Sequence, residues 1–132
     1  MSADNQAKRI VVIEDDPEMI SLVKLILGKE GYDVSSADNG RDGLTLIEEL
    51  VPHAVVLDLM MPDMDGWEVY QAMKANDSIK NVPVIILTAK SQSIDKVLGL
   101  HIAKVDDYIT KPFSPGELLG SIRKAITHHQ NG

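Results

Sequence analysis

The sequence predicts an α/β domain, a five-stranded parallel sheet that is doubly wound, with helices on both faces. Three observations predict it. Five short aliphatic or β-branched runs punctuate the chain at residues 10–13, 33–36, 54–57, 84–87 and 107–109. The clearest of these are apolar without alternation, as in strands covered on both faces. Stretches with helical spacing of apolar residues lie between and after them, so strand and helix alternate five times. Parallel pairing through helical crossovers follows from that order.

The run Ile10-Val11-Val12-Ile13 leads into a first helix. Its Ile20, Val23 and Leu27 fall at i, i+3 and i+7, one core-facing stripe. Asp15 or Asp16 suits its N-cap, and Gly28 and Gly31 fit its stop. The second run, 33–36, is shorter and more polar. Asn39-Gly40 is a turn signal before the second helix, striped by Leu44, Ile47 and Leu50. Pro52 separates that helix from the third run, 54–57. Val69 and Met73 mark a third helix, broken by Asp77-Ser78 and Asn81-Val82-Pro83 ahead of the fourth run. Ile94, Leu98 and Ile102 repeat every four residues as a fourth helix. After the fifth run, Ser114-Pro115 supply an N-cap and first helical residue for a fifth helix carrying Leu118, Ile122 and Ile126. No repeat, linker or low-complexity segment interrupts this order. Residues 8–127 read as one domain, with 1–7 and 128–132 as flexible termini.

The bulk properties narrow the function classes. At 132 residues and 44% hydrophobic, the chain can bury one core of common size. Aromatics are only 4%, so aliphatic side chains must do the packing. With no cysteine, disulfides and thiolate metal sites are excluded. A net charge of −7 would repel a phosphate backbone, so direct nucleic-acid binding by this domain is not expected. The N-terminus is polar, and no apolar run approaches the ~18 residues that span a bilayer. A soluble, cytoplasmic protein without membrane attachment is expected.

In an open parallel sheet, functional groups gather beyond the carboxyl ends of the strands, where strand order switches. Glu14 and Asp15 follow the first run, Asp58 ends the third, Thr88 follows the fourth and Lys111 follows the fifth. Three carboxylates brought close together repel one another unless one is protonated or a cation sits among them. Mg²⁺ suits such a set, being oxygen-seeking and commonly held by one or two carboxylates together with a phosphate; Mn²⁺ also fits. Asp58 is the best candidate for a carboxylate nucleophile towards a phosphoryl donor. Lys111 is the matching cation, and the Lys111-Pro112 step constrains where its side chain points. The Thr88 hydroxyl could donate to a phosphate oxygen, with small Ala89 beside it. Each of these has a plain structural alternative: a solvated acid or helix cap, an Asx turn at Asp58, a surface lysine, a strand threonine, and packing for Tyr108.

The residues match a known family. The chain resembles the receiver domain of bacterial two-component response regulators, the chemotaxis-regulator-like fold. Four motifs carry the resemblance, in order and at matching spacing: Val12-Ile13-Glu14-Asp15-Asp16; Val56-Leu57-Asp58-Leu59-Met60-Met61-Pro62-Asp63-Met64-Asp65-Gly66; Ile86-Leu87-Thr88-Ala89; and Asp107-Tyr108-Ile109-Thr110-Lys111-Pro112-Phe113. The resemblance covers nearly the whole chain and implies a flavodoxin-like sheet with strand order 2-1-3-4-5. It implies that Asp58 is the phosphoacceptor, and that Mg²⁺ is held by Glu14, Asp15, Asp58 and the backbone carbonyl of Met60. Thr88 and Lys111 are then the phosphate-contacting pair, and Tyr108 the aromatic that turns inward as Thr88 moves. The Lys111-Pro112 bond is expected to be cis. The face made by the fourth helix, fifth strand and fifth helix would change on phosphorylation and meet a partner, an output domain or a second copy. The phosphoryl source would be a sensor histidine kinase or a phosphotransfer protein. One departure stands out: Ala103-Lys104-Val105 precedes Asp106 where relatives often have Gly-Ala, which bears on partner geometry.

The resemblance implies a phosphorylation-controlled switch that would lose its phosphate slowly to water, and a binding module is expected rather than a turnover enzyme. Two other readings are weaker. An aspartyl-phosphate enzyme of the haloacid dehalogenase type wants a second acid two residues after the nucleophile, and that position is Met60. A flavodoxin-type nucleotide binder wants a Gly/Ser/Thr-rich loop after the first strand, where Glu14-Asp15-Asp16 would repel phosphate. A receiver that has lost phosphorylation would lack a site residue, and none is missing. After the last helix there is no room for an output domain, so the chain either stands alone or is a piece of a longer protein.

Overall fold

The computed structural model describes residues 7–59, 61, 64–89 and 107–131. Its strands are β1 Arg9–Ile13, β2 Asp33–Ala37, β3 Ala54–Asp58, β4 Val84–Ala89 and β5 Asp107–Lys111. Helices α1 Pro17–Lys29, α2 Gly40–Leu50 and α3 Gly66–Lys74 follow the first three strands, and a C-terminal helix, Pro115–Asn131, follows β5. All strand pairs are parallel, in the order β2-β1-β3-β4-β5. The expected fourth-helix stripe Ile94, Leu98 and Ile102, the Ala103-Lys104-Val105 segment and Met60 lie outside the described residues.

The apolar runs work as two-sided strands. Alternate residues point to opposite faces of a sheet. Ile10, Val12, Ala54, Val56, Ile85 and Leu87 join Val23, Leu27, Leu118 and Ile122 in one buried cluster. The intervening Val11, Ile13, Val55, Leu57, Val84 and Ile86 join Ile47, Val69 and Met73 in another on the far side. Hence β1 after Arg9, β3 up to Asp58 and β4 up to Thr88 are continuously apolar. The two more polar runs are the sheet's edges, β2 and β5, which need fewer apolar side chains.

Helix ends follow local chemistry. Asp16, not Asp15, caps α1, accepting from the Glu18 amide at 3.0 Å. The helix ends in a Schellman turn: Tyr32 N–H donates to Leu27 O and Gly31 N–H to Gly28 O, with Gly31 at φ +89°. Gly31 is therefore the stop, while Gly28 lies within the last turn. Asn39 caps α2, and Asp65 with Glu68 forms a reciprocal capping box on α3. Ser114 and Glu117 make a similar reciprocal pair before the C-terminal helix. That helix continues to Asn131, through residues expected to belong to a flexible terminus. Neither proline nor glycine stands between Gly120 and Gly132 to stop it.

Candidate functional site

Register brings the polar strand ends together. β1 pairs with β3 as far as Ile13↔Leu57, so Glu14 continues level with Asp58. β4 and β5 add Thr88↔Thr110 and Ala89↔Lys111 alongside. The chain leaves β1 towards β2 and returns as β3 on β1's other side, so the gap between β1 and β3 is the switch point. Glu14 and Asp15 flank that gap on one side and Asp58 on the other.

One carboxylate oxygen each from Glu14, Asp15 and Asp58 lies within 4.8 Å of the other two. Glu14 and Asp58 are buried, while Asp15 is exposed to solvent. Lys111 Nζ reaches over from β5 to within 2.8 Å of Glu14 Oε1 and 3.8 Å of Asp58 Oδ2. Glu14 Oε2 accepts from the Asp16 backbone N–H at 3.1 Å, which ties the acidic loop to the cap of α1. Burial pushes the Glu14 carboxyl up to about 7; the hydrogen bond from Lys111 opposes this and the neighbouring Asp58 charge adds to it. Three carboxylates face one ammonium, and Asp15 makes no ion pair with Lys111, so the cluster keeps an excess of negative charge. Its all-oxygen donors suit a hard divalent cation.

Thr88 is buried to 2% exposure beside Asp58's strand, and Tyr108 on the edge strand β5 is 46% exposed. The Lys111-Pro112 bond is cis. The structure thus brings together Glu14, Asp15, Asp58 and Lys111. Thr88 stands one register step beyond Asp58, whereas Tyr108 lies three residues before Lys111 and points towards solvent.

Two supports escaped the sequence reading. A Cβ on Gly66 would come 2.5 Å from the Asp58 carbonyl oxygen and 2.7 Å from Leu59 Cα, so only glycine lets α3 start against the end of β3. The Gly66 amide also donates to Leu59 O at 3.0 Å, closing the turn after Asp58. Likewise a Cβ on Gly43 of α2 would meet Ile13 Cδ1, on the residue that precedes Glu14. The signal for Gly66 was present in its place ahead of the α3 apolar stripe, but the contact itself is between separate elements.

A doubly wound sheet with an acidic cluster and a strand-end lysine at its switch point defines a class of phosphorylation-dependent signalling domains. The chain belongs to the response regulator receiver domain family, whose profile it matches over residues 10–123. It is 38% identical over 128 residues to the DNA-binding response regulator MtrA of Mycolicibacterium smegmatis, an alignment covering 97% of this chain and 54% of that protein. The chain therefore spans about half the length of that relative. Among solved structures it resembles the receiver domain of the sensor histidine kinase PA1611 from Pseudomonas aeruginosa PAO1, which has a magnesium ion coordinated in its active site cleft. That match has a TM-score of 0.83 at 27% identity and covers 92% of this chain and 98% of that one. A CheY-like receiver domain protein from Methanospirillum hungatei JF-1 matches with a TM-score of 0.82 at 33% identity, covering 94% of this chain and 98% of that one. Among the described residues, no helix is long and apolar enough to cross a membrane.

Proposed function

We propose that Asp58 is the phosphoacceptor of this receiver domain, and that Glu14, Asp15, Asp58 and the Met60 backbone carbonyl hold Mg²⁺, with Mn²⁺ as a substitute. The observation that carries this reading is the convergence of three carboxylates within 4.8 Å at the switch point, with Lys111 beside two of them. One Asp58 oxygen bonds to phosphorus as the phosphorus–nitrogen bond of a phosphohistidine breaks. The imidazole leaves with the electron pair and takes up a proton. The donor is a sensor histidine kinase or a phosphotransfer protein. Bound Mg²⁺ supplies positive charge for the phosphoryl oxygens and relieves the crowding of the carboxylates. Lys111 offers a point charge to a phosphoryl oxygen, and Thr88 a hydroxyl donor. Tyr108, 46% exposed, would turn inward once Thr88 is drawn towards the phosphoryl group. The surface of the fourth helix, β5 and the C-terminal helix then changes for a partner, an output domain or a second, phosphorylated copy.

The domain acts as a switch: the aspartyl phosphate is lost slowly to water, without a released product of further use. Nucleic-acid binding is not expected of these residues. In a protein twice this length, such as the DNA-binding relative, that task would fall to another part of the chain. A cytoplasmic location follows from the need to meet a kinase's phosphohistidine. Incubation with acetyl phosphate and Mg²⁺ is expected to add one acid-stable, hydroxylamine-labile phosphate, read by intact-protein mass spectrometry. Asp58→Asn abolishes it; equal labelling of that variant at the same rate refutes the assignment.

A further inference from the structure

Strand β2 is an outer strand of the sheet, with one side of its backbone not paired to a described strand. Asp33 N–H donates to Lys8 O and Ala37 O accepts from Glu14 N–H, so both residues turn their backbone groups towards β1. In a parallel ladder a residue's N–H and C=O point the same way and neighbours alternate. Val34 and Ser36 therefore direct theirs outward, and no described strand lies beyond β2. Such an edge is a template for another extended chain.

Helix α1 packs on one face of β2 and α2 on the other. Beside the end of the strand they leave a groove of about 510 Å³, floored by Ile20, Ala37 and Leu46 and rimmed by Asp38, Asp42 and Glu49. Ser36, one of the two outward-facing residues, lines it as well, and none of its lining side chains is basic. The Asn39 amide donates to Asp38 Oδ1 at 2.8 Å and to Asp42 Oδ2 at 2.9 Å, holding two of these carboxylates side by side.

We infer that this groove docks an extended segment of a partner protein in which lysine or arginine alternates with aliphatic residues, laid beside β2 as an added strand. The backbone of Val34 and Ser36 gives the strand its hydrogen bonds. The apolar floor takes every second side chain, and the three carboxylates take the cationic ones. Charge complementarity selects this occupant. A second copy laid edge to edge would set three carboxylates against three, and a phosphate backbone would be repelled. The site shares no residue with Glu14, Asp15, Asp58, Thr88 or Lys111, so it stands independently of the phosphoryl reading.

The test is a ¹H–¹⁵N titration of the full chain, with Mg²⁺ present, using the blocked peptide acetyl-Lys-Val-Lys-Val-Lys-amide and its glutamate counterpart. The lysine peptide is expected to give saturable shifts centred on Val34, Ser36 and the start of α2. The glutamate peptide is expected to give none. Asp42→Asn with Glu49→Gln should weaken binding about fivefold, as loss of two exposed ion pairs implies. Glu49→Gln alone keeps the test valid if Asp42→Asn disturbs the α2 cap. Ser36→Pro removes one outward N–H without touching the ladder to β1 and should also weaken binding. The inference is overturned by unsaturable shifts, by equal binding of both peptides, or by shifts centred on Glu14 and Asp58. It is also overturned by unchanged affinity in the charge variants, or by concentration-dependent shifts at Val34 and Ser36 without peptide, which would mark a second copy as the occupant.

Discussion

Glu14 makes metal binding visible in the stability of the domain. Its carboxyl is raised from 4.5 to about 7 in the folded protein, first by burial, with Lys111 opposing and Asp58 adding. A group whose folded pKa is raised contributes stability that is fully present below its unfolded value. That stability is lost as pH rises through the folded value. The gap from 4.5 to about 7, at about 1.4 kcal/mol per pH unit, corresponds to about 3 kcal/mol lost between about pH 4 and about pH 8. For a domain of this size that is a fall of ~10 °C in Tm. Mg²⁺ favours the ionised carboxylate, so its stabilisation should grow across the same window. His53 slopes the other way. Burial, then Arg9 and Lys8, hold its folded pKa below 6.5, so its contribution is present above 6.5 and lost as pH falls. His53 accepts from the Arg9 amide at the opposite end of β1, so the difference between Mg²⁺ and chelator cancels it. The assay is urea unfolding, followed by circular dichroism and by fluorescence of the single Trp67, with and without Mg²⁺, from about pH 5 to about pH 8. Glu14→Gln should flatten the metal-free pH slope. It will not be uniformly more stable, because Lys111 loses its 2.8 Å partner. If wild type and Glu14→Gln lose stability in parallel as pH rises in chelator, Glu14 does not carry the ionisation cost and the electrostatic account fails.

Two further outcomes are expected. Gly66→Ala forces a Cβ to 2.5 Å from the Asp58 carbonyl oxygen, so either α3 or the end of β3 must shift. It should cost about 1–3 kcal/mol in denaturant unfolding and slow acetyl phosphate labelling, and an unchanged rate would show that the turn does not position Asp58. Lys111→Ala removes the ammonium 2.8 Å from Glu14 and 3.8 Å from Asp58. Mg²⁺ affinity, measured calorimetrically, should rise roughly threefold to tenfold while labelling slows, and weaker metal binding would mean that Lys111 positions the acids instead of competing with the cation.

The strands, most helix limits and the pairing of both faces with apolar residues were legible in the sequence because each rests on short-range chemistry. Aliphatic runs need cover on two sides, caps need Asn, Asp or Ser, and a left-handed stop at Gly31 needs glycine. Even the two edge strands announced themselves by being shorter and more polar. The motif residues Glu14, Asp15, Asp58, Thr88 and Lys111 could be placed at strand ends for the same reason. What the tertiary structure alone decided is how those ends meet. The register that sets Lys111 against Glu14, the contact that makes Gly66 obligatory and the groove where α1 and α2 straddle the edge of β2 all join segments far apart in the chain. Periodicity says which side of an element is buried, but not which distant atom fills the space beside it. Close packing between elements settles that, and with it the raised pKa of Glu14 and the charge left over for a cation.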